Sequence, residues 1–278
     1  MSNGANPSSA SRRATVRAPR TVAWVLRLLD IDLDFFVHGA AHWVAYDGVR
    51  LDPEEFPPWA REDAIAFLRK ECGLTRRLPG LVVERHGELF NRWRDAIAAG
   101  SLAPPLSVTH VDAHADLGMG DAGYVHLMSE LLFEPVEQRR FPKTGELGMD
   151  DGNWVSFAVA CGWVGELIYV FNTKEPRPED ILAYVMEGFD PSAAHIQLAA
   201  VNKHDIEDLW MRDSKAQVVQ HYEPRVPFRA VSFRDFQADR PFDVICLTRS
   251  AAFAPAASDA LFDEIRDLFI DEVAMGRV

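Results

Sequence analysis

Residues 105–116 read PLSVTHVDAHAD, an apolar run that ends in alternating polar residues. Such a continuous run of apolar and β-branched residues is typical of a strand inside a sheet that is covered on both faces. Every second side chain of an extended chain points the same way, so we expect Asp112, His114 and Asp116 to share one side. The small alanines between them face the other side and allow neighbouring backbone to approach.

A second run, residues 21–36, reads TVAWVLRLLDIDLDFF and also ends in alternating aspartates. The same spacing places Asp30, Asp32 and Asp34 on one side of a buried strand. Carboxylates beside apolar sequence are costly unless a positive charge compensates them. Arginine partners are one solution, but divalent ions compensate several carboxylates at once and fit the mixed Asp and His set better. The two motifs therefore predict a metal site at the carboxyl ends of parallel strands.

Strand and helix patterns alternate along much of the chain, which favours an α/β fold with a mostly parallel sheet in a three-layer sandwich. Predicted helices cover residues 59–73, 86–99, 152–164, 178–188 and 258–274. Further strands are predicted over residues 166–172, 194–201, 216–222, 228–233 and 242–250. No internal repeat or linker is evident. We therefore expect one domain over residues 21–278, preceded by a flexible tail at residues 1–20.

Composition and charge exclude several classes of protein. Hydrophobic residues make up 48% and charged residues 26% of the chain, as in soluble globular proteins. The net charge is −13, and the four arginines of the first 20 residues leave −17 on the remainder, which disfavours nucleic acid as a partner. No apolar run is long enough to predict a membrane span. Three widely spaced cysteines argue against a disulfide framework and favour the reducing cytoplasm.

The predicted ligand set consists of aspartates and histidines and contains no cysteine. Such oxygen and nitrogen donors suit Mn²⁺ or Fe²⁺ and are less specific for Zn²⁺. This number of ligands indicates two ions with one bridging carboxylate. A solvated loop or a helix-capping cluster is the alternative, and the presence of a second acidic motif disfavours it.

These motifs resemble those of a known superfamily of metallohydrolases. Residues 112–116, DAHAD, resemble the Asp-x-His-x-Asp motif of arginases, agmatinases and deacetylases, and residues 30–36, DIDLDFF, resemble their Asp-x-Asp strand. Together with ERHGEL at residues 84–89 and NWVSFAVACG at residues 153–162, the pattern resembles the UPF0489 family. That family includes peptide arginases, which convert arginine residues of ribosomally made precursor peptides to ornithine. The resemblance extends over roughly residues 28–172 and is strongest at the two acidic motifs.

The resemblance implies an arginase/deacetylase-like fold with two Mn²⁺ ions, Fe²⁺ and Zn²⁺ being alternatives. It implies an arginine-containing precursor peptide as the partner, with release of urea, and leaves a homo-oligomer open. The implied metal ligands are Asp32, Asp34, His86, Asp112, His114 and Asp116. In arginases the Asp-x-Asp strand follows the Asp-x-His-x-Asp strand, whereas here it precedes it. A permuted strand order is therefore expected.

Further roles are assigned to residues near the motifs. Asp116 and His126 are the expected catalytic residues, with His126 as the proton carrier because imidazole titrates near neutral pH. His110 and His38 compete for this role, but the position of His110 deeper in the strand favours a packed core residue. Asn153 and Asp30 are expected to contact substrate. The alternatives are a helix cap for Asn153 and an indirect role behind the ligands for Asp30.

The sequence is compatible with three functions. The first is hydrolysis of an amidine, with arginine in a peptide as substrate. The second is a metal-dependent amidase or deacylase that acts on an acylated amine. The third is a binding protein without activity that metal ions stabilise. The loop around Ser250 could contact substrate, but it offers no carboxylate to bind a guanidinium group.

Overall fold

A mostly parallel sheet of eight strands forms the centre of the protein. The computed structural model describes residues 1, 25–41, 44, 48–118, 121–142, 147–172, 181–211 and 218–273. In chain order the strands are β1 (Arg27–Asp32), β2 (Leu78–Val83), β3 (Leu106–Val111), β4 (Val164–Phe171), β5 (His195–Ile196), β6 (Ala199–Val201), β7 (Val219–Tyr222), β8 (Val226–Ser232), β9 (Val244–Thr248) and β10 (Ile270–Glu272). The tail predicted over residues 1–20 and the domain start at residue 21 lie outside the described residues, Met1 excepted.

The large sheet has the spatial order β10-β2-β9-β1-β3-β4-β8-β5. All its neighbours pair in parallel except β5, which is antiparallel to β8. Strands β6 and β7 form a separate antiparallel pair. These observations confirm the predicted α/β class and the mostly parallel sheet.

Helices pack on both faces of the sheet, an arrangement compatible with a three-layer sandwich. They are α1 (Arg61–Lys70), α2 (His86–Ala98), α3 (Asp121–Ser129), α4 (Val136–Arg139), α5 (Trp154–Ala160), α6 (Ile206–Met211) and α7 (Asp259–Phe269). Helices α2, α3 and α5 contribute to the apolar core on one face, whereas α1 and α7 contribute to the core on the other. Strands β1, β3 and β9 are buried along their whole length, so their apolar runs need no polar alternation.

The two acidic motifs lie side by side in the middle of this sheet. Strand β1 pairs with β3 so that Asp30 lies opposite His110, and it pairs with β9 so that Asp32 lies opposite Thr248. Parallel neighbours end at the same edge, so the loops after β1, β2, β3 and β9 meet there. The order of the motifs along the chain therefore does not separate them in space.

Both motifs leave the extended conformation earlier than the sequence predicted. Strand β1 ends at Asp32, whose side chain accepts a hydrogen bond from the Asp34 amide at 3.0 Å and starts a 3₁₀ turn over Leu33–Phe36. Strand β3 ends at Val111, and Asp116 has a left-handed φ of 51°. The prediction that the chain stays extended to residues 34 and 116 is wrong. Short-range hydrogen bonds that the aspartate side chains accept from nearby amides turn the chain.

Other elements also differ from the prediction. The helix predicted over residues 258–274 ends at Phe269, and the chain then forms β10 beside β2. The described part of the helix predicted over residues 178–188 contains only short 3₁₀ turns, and Gly188 has a φ of 64°. Within the described ranges, no helix combines the length and the apolar composition needed to span a bilayer.

Candidate metal centre

Eight ionisable side chains converge at the edge where β1, β2 and β3 end. Four overlapping groups of three have ligand atoms within 4.8 Å of one another: Asp30–His86–His110, Asp32–His86–Asp112, Asp34–Asp112–His114 and His110–Asp112–Asp116. Seven of the eight residues are buried, and only His114 is partly exposed. The six implied ligands are therefore all brought together, and Asp30 and His110 lie with them.

His86 lies at the start of α2 and faces three carboxylates from two strands. Its Nδ1 is 3.1 Å from Asp32 Oδ2, 3.3 Å from Asp112 Oδ2 and 2.9 Å from Asp116 Oδ2. Ligand atoms that are each about 2.1 Å from a shared ion lie roughly 3 to 4 Å apart. Each of these three carboxylates thus lies from His86 at the spacing of two ligands of one ion, and Asp32 and Asp112 form one of the four groups with it.

A second group of donors surrounds His114 on the outer side of Asp112. The His114 Nδ1 is 3.0 Å from Asp34 Oδ2 and 3.7 Å from Asp112 Oδ1. The two oxygens of Asp112 therefore face different histidines, with Oδ2 towards His86 and Oδ1 towards His114. A carboxylate in this position is suited to bridge two cations.

Buried atoms without hydrogen bonds support a cation at this place. Among the described residues, Asp112 Oδ2 and His110 Nε2 are buried without a hydrogen-bond partner and lie 3.4 Å apart. Leaving such atoms unsatisfied in a protein interior costs free energy. A divalent ion among them would remove this cost, so the donor set fits a metal site.

Trp154 and Ser250 each donate a hydrogen bond to a carboxylate of the cluster. The Trp154 Nε1 donates a hydrogen bond to Asp116 Oδ2 at 2.6 Å, and the indole ring centroid is 5.5 Å from that of His86. The Ser250 hydroxyl donates to Asp32 Oδ2. Both side chains therefore orient carboxylates of the cluster, and contact of the Ser250 loop with a substrate stays a prediction. Ser250 reaches Asp32 because it follows β9, the parallel neighbour of β1.

Asn153 occupies the N-cap position of α5, but its side chain bonds to the preceding loop. Its side chain is buried, donates from Nδ2 to Gly148 O at 2.8 Å and accepts from the Asp150 amide at 2.9 Å. It makes no side-chain cap of α5. These bonds fix the loop over residues 148–153, and contact of Asn153 with a substrate stays a prediction.

The surroundings of Asp30 favour the indirect role over contact with a substrate, whereas those of His126 leave its role untested. Asp30 is fully buried, with Oδ2 2.8 Å from His110 Nδ1 and 3.6 Å from His86 Nε2, which does not fit direct contact with a substrate. His126 lies on α3, where its Nδ1 is 3.4 Å from Glu130 Oε2 and its ring stacks on Phe157. It belongs to none of the candidate ligand groups found among the described residues. Its role as proton carrier stays a prediction.

Comparisons with known proteins add no assignment. No protein-family model matches the chain, and no curated protein matches it. The chemistry of the centre must therefore be argued from its own side chains.

The charges of the cluster shift the pKa values of its members. Burial raises the pKa of Asp112 well above its usual range, and the charges of Asp34, Asp32 and Asp116 raise it further. Burial opposes the charge on His86, but Asp32, Asp30 and Asp116 outweigh it and raise the pKa of that imidazole. Burial likewise opposes ionisation of Asp30, yet His86 and His110 bring its pKa to about 2. Proton binding thus partly offsets the negative charge that the buried carboxylates bring together.

We expect metal uptake to release protons and to tighten as pH rises. The raised pKa values of His86 and His114 stabilise the metal-free fold fully below about pH 6.5, and this contribution is lost as pH rises through the raised values. The pKa of Asp32 is raised by burial and by Asp34, so its ionisation at higher pH also destabilises the metal-free fold. Titration calorimetry in buffers of different ionisation enthalpy measures the released protons. Uptake without proton release would contradict this expectation.

The Trp154→Phe variant should bind metal more weakly and remain folded. The ring is kept, but Asp116 loses the hydrogen bond that orients it, so we expect metal affinity to fall about 10- to 100-fold. Trp163→Phe is the matched control, because Trp163 Nε1 donates to Arg140 O at 2.9 Å and no cluster residue is involved. Equal affinities of the two variants would show that the bond to Asp116 does not matter.

Proposed function

We propose that the protein is a binuclear-metal-dependent hydrolase of the arginase type with an arginase/deacetylase-like fold. Its proposed reaction converts arginine residues of a ribosomally made precursor peptide to ornithine and releases urea. The observation that carries this proposal is the position of Asp112 between two groups of donors. One oxygen faces His86 and the other faces His114. The motif resemblance to peptide arginases of the UPF0489 family supplies the substrate class.

Two sets of residues would hold the ions. The first consists of Asp32, His86, Asp112 and Asp116, and the second of Asp34, Asp112 and His114. Donors that combine carboxylate oxygen with imidazole nitrogen suit Mn²⁺, which is our choice for both sites. Bound ions would supply an activated water near neutral pH and stabilise negative charge that develops during attack on the guanidinium carbon.

The protein's own residues determine how a substrate approaches. His114 has 17% of its side chain exposed, whereas the other implied ligands have 5% or less. The centre therefore opens on the side of His114, where the Phe253 ring packs edge-on with centroids 5.3 Å apart. An approach beside this aromatic ring would suit a long, thin side chain. The chain of an arginine residue has this shape.

The test is incubation of the Mn²⁺-loaded protein with a library of arginine-containing peptides. The proposal predicts release of urea and a mass loss of about 42 Da per modified arginine. The His114→Ala variant should remain folded and inactive. Release of an acid from an acyl-lysine or acyl-polyamine would instead identify a deacylase. Binding of metal without turnover of either substrate class would favour a binding protein.

A further inference from the structure

His110 is the one buried histidine of the cluster that the arginase-type ligand set does not include. It is fully buried on β3, and its Nδ1 is 2.8 Å from Asp30 Oδ2 on the neighbouring strand. The two residues are paired in the register of β1 and β3, so the sheet itself fixes this contact. The contact orients the ring and places Nε2 on its far side.

The Nε2 atom faces the carboxylates of the cluster. It is 3.4 Å from Asp112 Oδ2 and 3.9 Å from Asp116 Oδ2, and it makes no hydrogen bond with any described residue. Asp112 Oδ2 also accepts no hydrogen bond. When Asp30 accepts the Nδ1 proton, the neutral ring carries a lone pair on Nε2. A lone pair that faces two carboxylate oxygens is favourable only with a cation between them.

We propose that His110 is a further nitrogen ligand of the ion that Asp112 and Asp116 hold. Asp30 is then a positioning residue, which fixes the tautomer of His110 in the way carboxylates commonly orient metal-binding histidines. The distances of 3.4 and 3.9 Å from His110 Nε2 to the two carboxylates agree with this role. Two ligand atoms of one ion are at most about 4.2 Å apart, when they lie on opposite sides of it. We call the ion held by Asp112 and Asp116 the inner ion and the ion beside His114 the outer ion. With His86, the inner ion would have two imidazole ligands, and the outer ion would have one, from His114. This inference rests on the metal centre of the proposed function but not on the reaction.

Pulsed electron paramagnetic resonance of the Mn²⁺-loaded full chain tests the proposal, because it counts the histidine nitrogens coupled to each ion. Wild type should show three such nitrogens in total, and His110→Gln should show two. The affinity of the inner ion should fall about 10- to 100-fold or more in this variant. His126→Gln is the matched control, since His126 lies on α3, contacts Glu130 and Phe157 and belongs to none of the ligand groups formed by the residues that the structure describes, and it should keep all three nitrogens.

The second variant, Asp30→Asn, retains the His110 ring and removes only the carboxylate. It should keep three nitrogens with a weaker inner ion, whereas a merely structural His110 would leave the affinity unchanged. If His110→Gln fails to fold, the nitrogen count of wild type and the metal affinity of Asp30→Asn still test the proposal. Only two coupled nitrogens in wild type would overturn the proposal, even if the protein releases urea. Three nitrogens without urea release would support it while the proposed reaction fails.

Discussion

Asp112→Asn is expected to lose more than about 100-fold of the peptide-dependent urea release and to bind fewer than two ions. Asp112 belongs to three of the four ligand groups, so more of these groups depend on its charge than on that of any other member. The amide keeps the size of the side chain but removes the negative charge that would bridge two cations. Its effect should therefore exceed the 10- to 100-fold loss typical of residues that only orient ligands. Metal analysis and urea release measure the two effects.

A control separates loss of the bridge from a general effect of removing an aspartate. Asp95 lies on α2 and pairs with Arg94, with 58% of its side chain exposed. Asp95→Asn should bind two ions and retain full turnover. Two tightly bound ions and normal turnover in Asp112→Asn would contradict the assignment of the bridge.

Removal of metal by a chelator should lower the melting temperature by roughly 8 to 16 °C. An ion present at about 1,000 times its dissociation constant stabilises the folded state by about 4.1 kcal/mol. For a chain of this size each kcal/mol corresponds to about 2 to 4 °C. Calorimetry of the same preparation with Mn²⁺ and after chelation measures the shift.

The Asp112→Asn variant also provides the reference for this experiment. Its melting temperature should respond little to chelation, because it has lost a ligand of both groups. In the absence of metal it should be at least as stable as wild type, since burial and neighbouring carboxylates disfavour the charge of Asp112. Equal shifts in wild type and variant would place the stabilising ion elsewhere.

Much of the centre could be predicted because its residues follow simple patterns. An aspartate at the end of a buried strand needs compensation, and parallel strands end at one edge, so Asp32 and Asp112 were expected to meet. His86 was placed with them by motif resemblance, and the structure brings its Nδ1 within 3.1 Å of Asp32. Neither argument required knowledge of the loops.

The remaining contacts depend on strand register, which the sequence does not specify. The depth of His110 in its strand predicts a core residue, and it is fully buried; in addition, Asp30 lies directly opposite and turns the ring towards Asp112. The signal was present, since both residues precede their motifs by two positions and so share the face of the ligands. The approach of Trp154 to Asp116 could not be foreseen, because it depends on how α5 packs.

Local hydrogen bonding explains the errors at the ends of the strands. Alternation of polar and apolar residues predicted an extended chain to Asp34, but an aspartate can also accept a hydrogen bond from the amide two residues later. Asp32 does so with Asp34, and Asp112 with His114 at 2.7 Å. These turns bring Asp34 Oδ2 to a distance of 3.0 Å from His114 Nδ1. The predicted neighbours are therefore correct, although the predicted conformation is not.

The register of β1 and β3 also determines when the centre can assemble during folding. Asp30 and His110 are 80 residues apart in the chain, so their contact closes a long loop and forms only when the sheet does. A newly made chain thus offers a cation no organised binding place before these strands meet. Ions would then act mainly by slowing the unfolding rate, and folding would proceed at nearly the same speed in their absence.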